Sequence, residues 1–93
     1  MNIPYRYEEL LLTKAFPMYP DFTILSPKTG RIVRWEHFGK IDDPDYRVKM
    51  NRKMNAYLDD GFVPGVDLIM TFEDKKHPLN IGEVQNMIQY YFL

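Results

Sequence analysis

The fold of this chain is decided by residues 19–39, which read YPDFTILSPKTGRIVRWEHFG. Two runs rich in β-branched and aromatic residues flank residues 27–30 (PKTG), which have Pro and Gly at the first and fourth positions of a turn. This pattern predicts a β-hairpin. A loop with an even number of residues places Asp21 opposite Glu36.

The two faces of the predicted hairpin separate apolar from polar side chains, since alternate residues of a strand point to opposite faces. The apolar face carries Phe22, Ile24, Val33 and Trp35, and the polar face carries Asp21, Thr23, Arg34 and Glu36. A slip of one residue would place Trp35 or His37 opposite Asp21 and mix the two sets. The pattern therefore supports the register that opposes Asp21 and Glu36.

Two carboxylates directly opposite each other destabilise a strand pair unless another group offsets their repulsion. A divalent cation held by oxygen ligands is the simplest such group, which makes Asp21 and Glu36 candidate metal ligands. The alternative is a solvated pair of surface acids neutralised by the neighbouring Arg34. The spacing by itself leaves both interpretations open.

Three segments carry a family resemblance: YPDFTI at 19–24, WEHFG at 35–39 and DDPDYR at 42–47. With them the chain resembles, over nearly its whole length, a bacterial branch of the PD-(D/E)XK nuclease superfamily, which has the restriction-endonuclease-like fold. The resemblance implies that Asp21 and Glu36 bind Mg²⁺, with Mn²⁺ as a substitute. It also implies a lysine two residues after the Glu that assists the attacking water, and this position holds Phe38, a departure from the pattern.

A first helix is predicted to run from Pro44 to about Asp60. Asp43 suits the N-cap, Pro44 the first helical position, and Gly61 a left-handed stop. The apolar stripe of this helix comprises Tyr46, Met50, Met54, Tyr57 and Leu58.

Lys53 lies inside this apolar stripe, where a charged side chain needs an anionic partner. Members of the resembled superfamily can carry the catalytic lysine on the following helix, so Lys53 is the candidate for that role and Lys40 is the reserve. The alternative is that the Lys53 stem lies along apolar surface while its ammonium reaches water.

The sequence of residues 3–13 predicts a strand that forms a meander with the hairpin. The resembled family has a helix before this strand, and the sequence leaves no room for one. We therefore expect either a fragment or a chain whose cover comes from a second copy, as a homodimer. Glu8 is a candidate further metal ligand by its resemblance to a family position, and a solvated strand charge is the alternative.

The second half of the chain adds one strand and one helix. The apolar run Val66–Phe72 predicts a strand that is buried on both faces and reached by a crossover, and Asn80 predicts the start of a second helix. The stripe of this helix is Ile81, Val84, Met87, Ile88, Tyr91 and Phe92. The whole order predicts an α/β domain with a mixed β-sheet, in which His37 is a structural histidine on the Trp35 face.

Composition fits one domain over residues 1–93, since 45% of the 93 residues are hydrophobic, enough for a modest core. The sequence contains no cysteine and no apolar run near the roughly 18 to 20 residues of a membrane helix. We therefore expect a cytoplasmic protein without a membrane partner. The net charge of -1 provides no overall attraction for nucleic acid.

The expected function is a Mg²⁺-dependent nuclease that acts on DNA, with Asp21, Glu36 and Lys53 in the catalytic site. Surface cations that could contact DNA phosphates are Arg34, Lys40, Lys49 and Arg52. The alternative is a non-catalytic nuclease-like domain that serves as a DNA-docking or protein-interaction module. The missing strand lysine favours the alternative, and the retention of both acids favours the nuclease.

Overall fold

The structure is a computed structural model that describes residues 3–93. Its elements are β1 (Tyr5–Tyr7), β2 (Leu11–Leu12), β3 (Pro17–Met18), β4 (Phe22–Leu25), β5 (Ile32–Phe38), α1 (Pro44–Asp59), β6 (Leu68–Phe72) and α2 (Ile81–Phe92). Strands β1, β4, β5 and β6 form a mixed sheet in that order, in which β5 and β6 are parallel, and β2 and β3 form a second small sheet. The described residues thus form a small α/β protein, as predicted. Neither of their helices combines the length and apolar character needed to cross a membrane.

The β4–β5 hairpin has the predicted register, with Phe22 opposite Trp35 and Leu25 opposite Ile32. The turn closes where the backbone N–H of Gly30 donates to the carbonyl of Ser26 at 2.8 Å. Gly30 has a φ of 73°, which a glycine adopts without steric cost. Because the ladder starts at residue 22, Asp21 and Glu36 are the next opposed pair beyond it.

The strand predicted over residues 3–13 is shorter than expected. Its first part, β1, pairs antiparallel with β4 and forms the predicted meander, whereas β2 turns away and pairs with β3. Glu8 separates the two parts with a φ of 50°. This left-handed conformation cannot continue an extended strand.

The Trp35 face of the sheet is packed against α2. Its buried core consists of Ile24, Val33, Trp35, Ile69 and Phe92, and the stripe residues Val84, Met87, Ile88 and Tyr91 pack against it. Ile81 was expected in that stripe but is 75% exposed. It is the first helical residue, next to the exposed N-cap Asn80, so the helix begins before it reaches the sheet.

The opposite face, which carries the acids, is covered by α1. Asp43 caps this helix by accepting the backbone N–H of Asp45 at 2.9 Å, as predicted. Tyr57 and Ala56 are buried against the sheet, while Leu58 is exposed and was wrongly placed in the stripe. A helix turns by about 100° per residue, so a face centred on Ala56 and Tyr57 directs residue 58 outwards.

Strand β6 joins the sheet parallel to β5 after the α1 crossover, as the apolar run predicted. It covers a shorter range than expected, since Val66 is exposed and precedes the strand. Leu68 and Ile69 are buried, but Phe72 is exposed at the other end. The strand is therefore not buried on both faces throughout its length.

Candidate acidic site beneath the first helix

Asp21 and Glu36 lie together and are fixed by backbone hydrogen bonds. The backbone N–H of Asp21 donates to Oε1 of Glu36 at 3.2 Å, and the backbone N–H of His37 donates to Oδ2 of Asp21 at 2.7 Å. Glu36 follows Trp35 in β5, so its side chain lies on the opposite face, beneath Lys53 of α1, and Asp21 is held beside it. The hairpin thus brings the two predicted acids into one site.

Lys53 reaches this acid pair from α1, with Nζ 3.0 Å from Oε2 of Glu36. The Glu36 side chain is only 2% exposed, whereas the Lys53 side chain is 37% exposed and extends from solvent to the buried acid. The anionic partner required by a lysine on an apolar stripe is therefore Glu36. Phe38, at the strand position of the family lysine, is buried and stacks on Phe72 with ring centroids 5.6 Å apart.

Protein groups already offset the repulsion between the two acids. Two backbone N–H groups and the Lys53 ammonium surround the carboxylates, and charge-assisted hydrogen bonds of this kind are comparatively strong. The opposition of Asp21 and Glu36 therefore does not by itself demand a cation. A cation could bind only through polar atoms that these contacts leave without a hydrogen bond.

Three buried polar atoms have no hydrogen-bond partner among residues 3–93: Nε of Arg34, Oε2 of Glu36 and the hydroxyl of Tyr57. Of these, Oε2 is the anionic acceptor that could bind a cation. Buried polar atoms almost always have a partner, and Oε2 has only the ion pair with Lys53. Proteins commonly hold Mg²⁺ through one or two carboxylates, with other oxygens completing the coordination. The carboxylates of Asp21 and Glu36 fit such a site.

Tyr57 is the site residue that the sequence interpretation assigned to the core alone. It is fully buried, and burial followed by the neighbouring Glu36 carboxylate raises the pKa of its phenol far above the ordinary value. The signal available in the sequence was its spacing of four residues from Lys53, which places both side chains on one side of α1.

Glu8 does not join the two acids. Its backbone N–H donates to the carbonyl of Asp21 at 3.2 Å, so it is next to Asp21 in the sheet register. Its side chain is exposed, and its left-handed backbone departs from the strand geometry. Within residues 3–93, no group of three or more acidic or histidine side chains is arranged to hold a metal ion.

The four predicted DNA-contacting cations have different surroundings. Arg34 is half-buried, with its guanidinium 5.6 Å from the centre of the Phe62 ring, so it is held inside the protein. Arg52 is exposed and lies 4.4 Å from the centre of the Phe16 ring. Lys49 is exposed one helical turn from Arg52, and Lys40 is exposed in the loop after β5.

His37 lies on the other side of the sheet, in a polar network. Its Nδ1 is 2.9 Å from the hydroxyl of Thr71, and its Nε2 is 2.7 Å from Oε1 of Glu73. Trp35 donates its indole N–H to the same Thr71 hydroxyl at 3.1 Å. The predicted hydrogen-bonded position of His37 on the Trp35 face is confirmed. The His37 hydrogen bond, followed by the backbone N–H of Leu79, lowers the pKa of Glu73.

An apolar groove of about 770 Å³ opens beside α2 on this face of the sheet. Its walls include Tyr5, Phe22, Ile24, Trp35, Val84 and Ile88. Tyr5 and Tyr7 of the edge strand β1 are exposed, and their rings pack on Phe22. This is the surface near residues 3–13 for which we expected cover from a second copy.

Comparisons of the chain with protein-family models, with curated proteins and with solved structures give no match. The functional interpretation therefore rests on the geometry of the acidic site and on the sequence resemblance.

Proposed function

We propose that this chain is a Mg²⁺-dependent phosphodiesterase that cleaves DNA and belongs to the PD-(D/E)XK type, with its restriction-endonuclease-like fold. The observation that carries the proposal is the 3.0 Å contact between Nζ of Lys53 and Oε2 of Glu36, next to Asp21. An acid directly before β4, an acid of β5 and a lysine of the following helix meet in one place. This arrangement supplies the three side chains that the resemblance requires, although Phe38 occupies the usual lysine position.

Asp21 and Glu36 would hold the cation, which when bound supplies a Lewis acid and lowers the pKa of a bound water. The backbone N–H groups of His37 and Asp21 fix the two carboxylates before any ligand arrives. Such preorganisation reduces the reorganisation needed during the reaction.

Lys53 supplies the positive charge of the site. Its ammonium lies at the boundary between solvent and the buried Glu36 carboxylate, where an incoming phosphate would meet it. There it can orient the attacking water or stabilise negative charge that develops on the phosphate oxygens.

DNA binding would depend on contacts between exposed cations and the phosphates rather than on the net charge of the chain. Lys49 and Arg52 lie on the outer side of α1, and Lys40 lies in the loop before it. The net charge of -1 opposes strong binding by the isolated chain, so we expect weak binding that decreases steeply with salt. Arg34 contributes less to this binding because its guanidinium packs on Phe62.

One observation favours a second candidate function, a non-catalytic nuclease-like module for DNA docking or protein interaction. The acids are compensated by Lys53 and by backbone N–H groups without a cation. A domain that had lost catalysis could keep this arrangement for stability alone.

The test is single-turnover cleavage by the full chain with Mg²⁺ or Mn²⁺ on single-stranded, duplex and branched DNA. We expect Lys53→Ala to reduce the rate on the order of 10²-fold or more, as the loss of a positioned catalytic group typically does. Lys40→Ala is the comparison variant and should reduce the rate much less, since Lys40 is an exposed DNA-contacting candidate in the loop after β5. Circular dichroism checks that both variants fold.

Two results would contradict the proposal. Wild-type cleavage by a folded Lys53→Ala variant would remove the catalytic role of the lysine. Absence of cleavage by the unmodified chain on all three substrates with either metal would favour the non-catalytic module.

A further inference from the structure

Tyr57 is a tyrosine in a place where a phenylalanine would make the same apolar contacts. Its ring is fully buried and packs edge-on against Phe62, with ring centroids 5.3 Å apart and an interplanar angle of 78°. Its hydroxyl has no hydrogen-bond partner among residues 3–93. A buried polar group without a partner destabilises the folded state by on the order of 1–3 kcal/mol, so a phenylalanine at this position would make the fold more stable.

The polar surroundings of this hydroxyl come from β5. Lys53 lies one helical turn before Tyr57 on the same side of α1, and its Nζ is 3.0 Å from Oε2 of Glu36. The Glu36 carboxylate raises the pKa of the Tyr57 phenol, and Arg34 lowers it. Nε of Arg34 is likewise buried without a partner, and the Arg34 guanidinium packs on the same Phe62 ring that holds Tyr57. Phe62 thus contacts both side chains whose buried polar atoms lack a partner.

Glu36 depends on few donors for its orientation. Its Oε1 accepts the backbone N–H of Asp21, and its Oε2 is paired with the Lys53 ammonium. If Lys53 turns to a water or a phosphate, as the proposed reaction requires, Oε2 loses that partner. The Tyr57 hydroxyl is a buried donor on the same side of α1 as Lys53, and it has no other partner among residues 3–93.

We propose that Tyr57 is a positioning residue for Glu36, whose hydroxyl holds the carboxylate in its metal-binding orientation when Lys53 turns to the substrate. This inference rests on the proposed function and adds a residue to it. Tyr57 does not touch the substrate, because α1 and the sheet enclose it completely. Its effect on the site passes through Glu36.

The experiment measures the affinity of the full chain for Mn²⁺ alone by electron paramagnetic resonance. Tyr57→Phe removes the hydroxyl and keeps the ring contact with Phe62. Tyr46→Phe is the matched control on the same helix, since its hydroxyl accepts the backbone N–H of Gly39 at 3.1 Å, away from the acid pair. We expect Tyr57→Phe to weaken Mn²⁺ binding on the order of 10-fold, the usual effect of removing a group that orients a metal ligand, and Tyr46→Phe to change it by less than about 2-fold.

The same change is then made in a Lys53→Met background, where Oε2 no longer has the ammonium and the proposed donor to it is the Tyr57 hydroxyl. There we expect Tyr57→Phe to weaken Mn²⁺ binding by a larger factor than in the unmodified chain. A tyrosine that only fills the core would give no such dependence on Lys53. Unfolding in urea, followed by circular dichroism, checks that Tyr57→Phe remains folded.

Different results separate the two proposals. Unchanged Mn²⁺ affinity in a folded Tyr57→Phe variant, or an equal loss in Tyr46→Phe, overturns the role of Tyr57 and leaves the nuclease proposal intact. Absence of Mn²⁺ binding by the unmodified chain at millimolar concentrations overturns both.

Discussion

Replacement of Lys53 by methionine tests whether the contact with Glu36 stabilises the fold. Lys53→Met keeps a long apolar side chain and removes the charge. At 3.0 Å and an effective dielectric constant of about 20, the pair attracts by about 5.5 kcal/mol before solvation is considered. The Lys53 side chain is 37% exposed, so water screens much of this attraction.

We expect Lys53→Met to lower the free energy of unfolding by about 1–2 kcal/mol. This is less than the 3–5 kcal/mol typical of breaking a fully buried pair, because only the Glu36 side is buried. The loss arises mainly from leaving the Glu36 carboxylate without a cationic partner. Addition of Mg²⁺ or Mn²⁺ should restore part of the stability, since a cation bound to the folded state supplies the missing charge.

The measurement is urea unfolding of the unmodified chain, Lys53→Met and the exposed control Lys49→Met, with and without the divalent cation. A Glu36→Gln background completes a double-mutant cycle, in which the cost of Lys53→Met should largely disappear. Equal stability of Lys53→Met and Lys49→Met, or the same cost of Lys53→Met in the Glu36→Gln background, would refute the reasoning.

Two further predictions concern the other face of the sheet. The hydrogen bond from His37 lowers the pKa of Glu73, so this group stabilises the fold above the ordinary glutamate pKa of about 4.3, and the stabilisation is lost as the pH falls through the lowered value. Glu73→Gln should therefore reduce the dependence of the urea midpoint on pH below about 5, and an unchanged acid dependence would contradict this. The exposed aromatic surface of Tyr5 and Tyr7 beside the apolar groove should support a homodimer at tens of micromolar. Light scattering should then detect a dimer that Tyr5→Ser with Tyr7→Ser converts to a monomer, and a monomeric mass for the unmodified chain would contradict it.

The sequence by itself determined the features that depend on neighbouring residues. The PKTG turn and the alternation of apolar and polar residues were sufficient for the register that opposes Asp21 and Glu36. The caps of α1 were equally readable, because the Asp43 side chain accepts backbone N–H groups of the first turn and Gly61 adopts a left-handed φ of 90° just after the helix. Strand alternation and helix caps depend only on neighbouring residues, so they can be predicted without the rest of the fold.

The tertiary structure alone decided how α1 lies across the sheet. The sequence marked Lys53 as a charge on an apolar stripe, but its contact with Oε2 of Glu36 depends on the position of the helix over β5. The same packing buries the acid face, turns Leu58 outwards and places the Tyr57 hydroxyl beside Glu36. Helix–sheet packing is set by the shapes of many distant side chains at once, and no local pattern in the sequence specifies it.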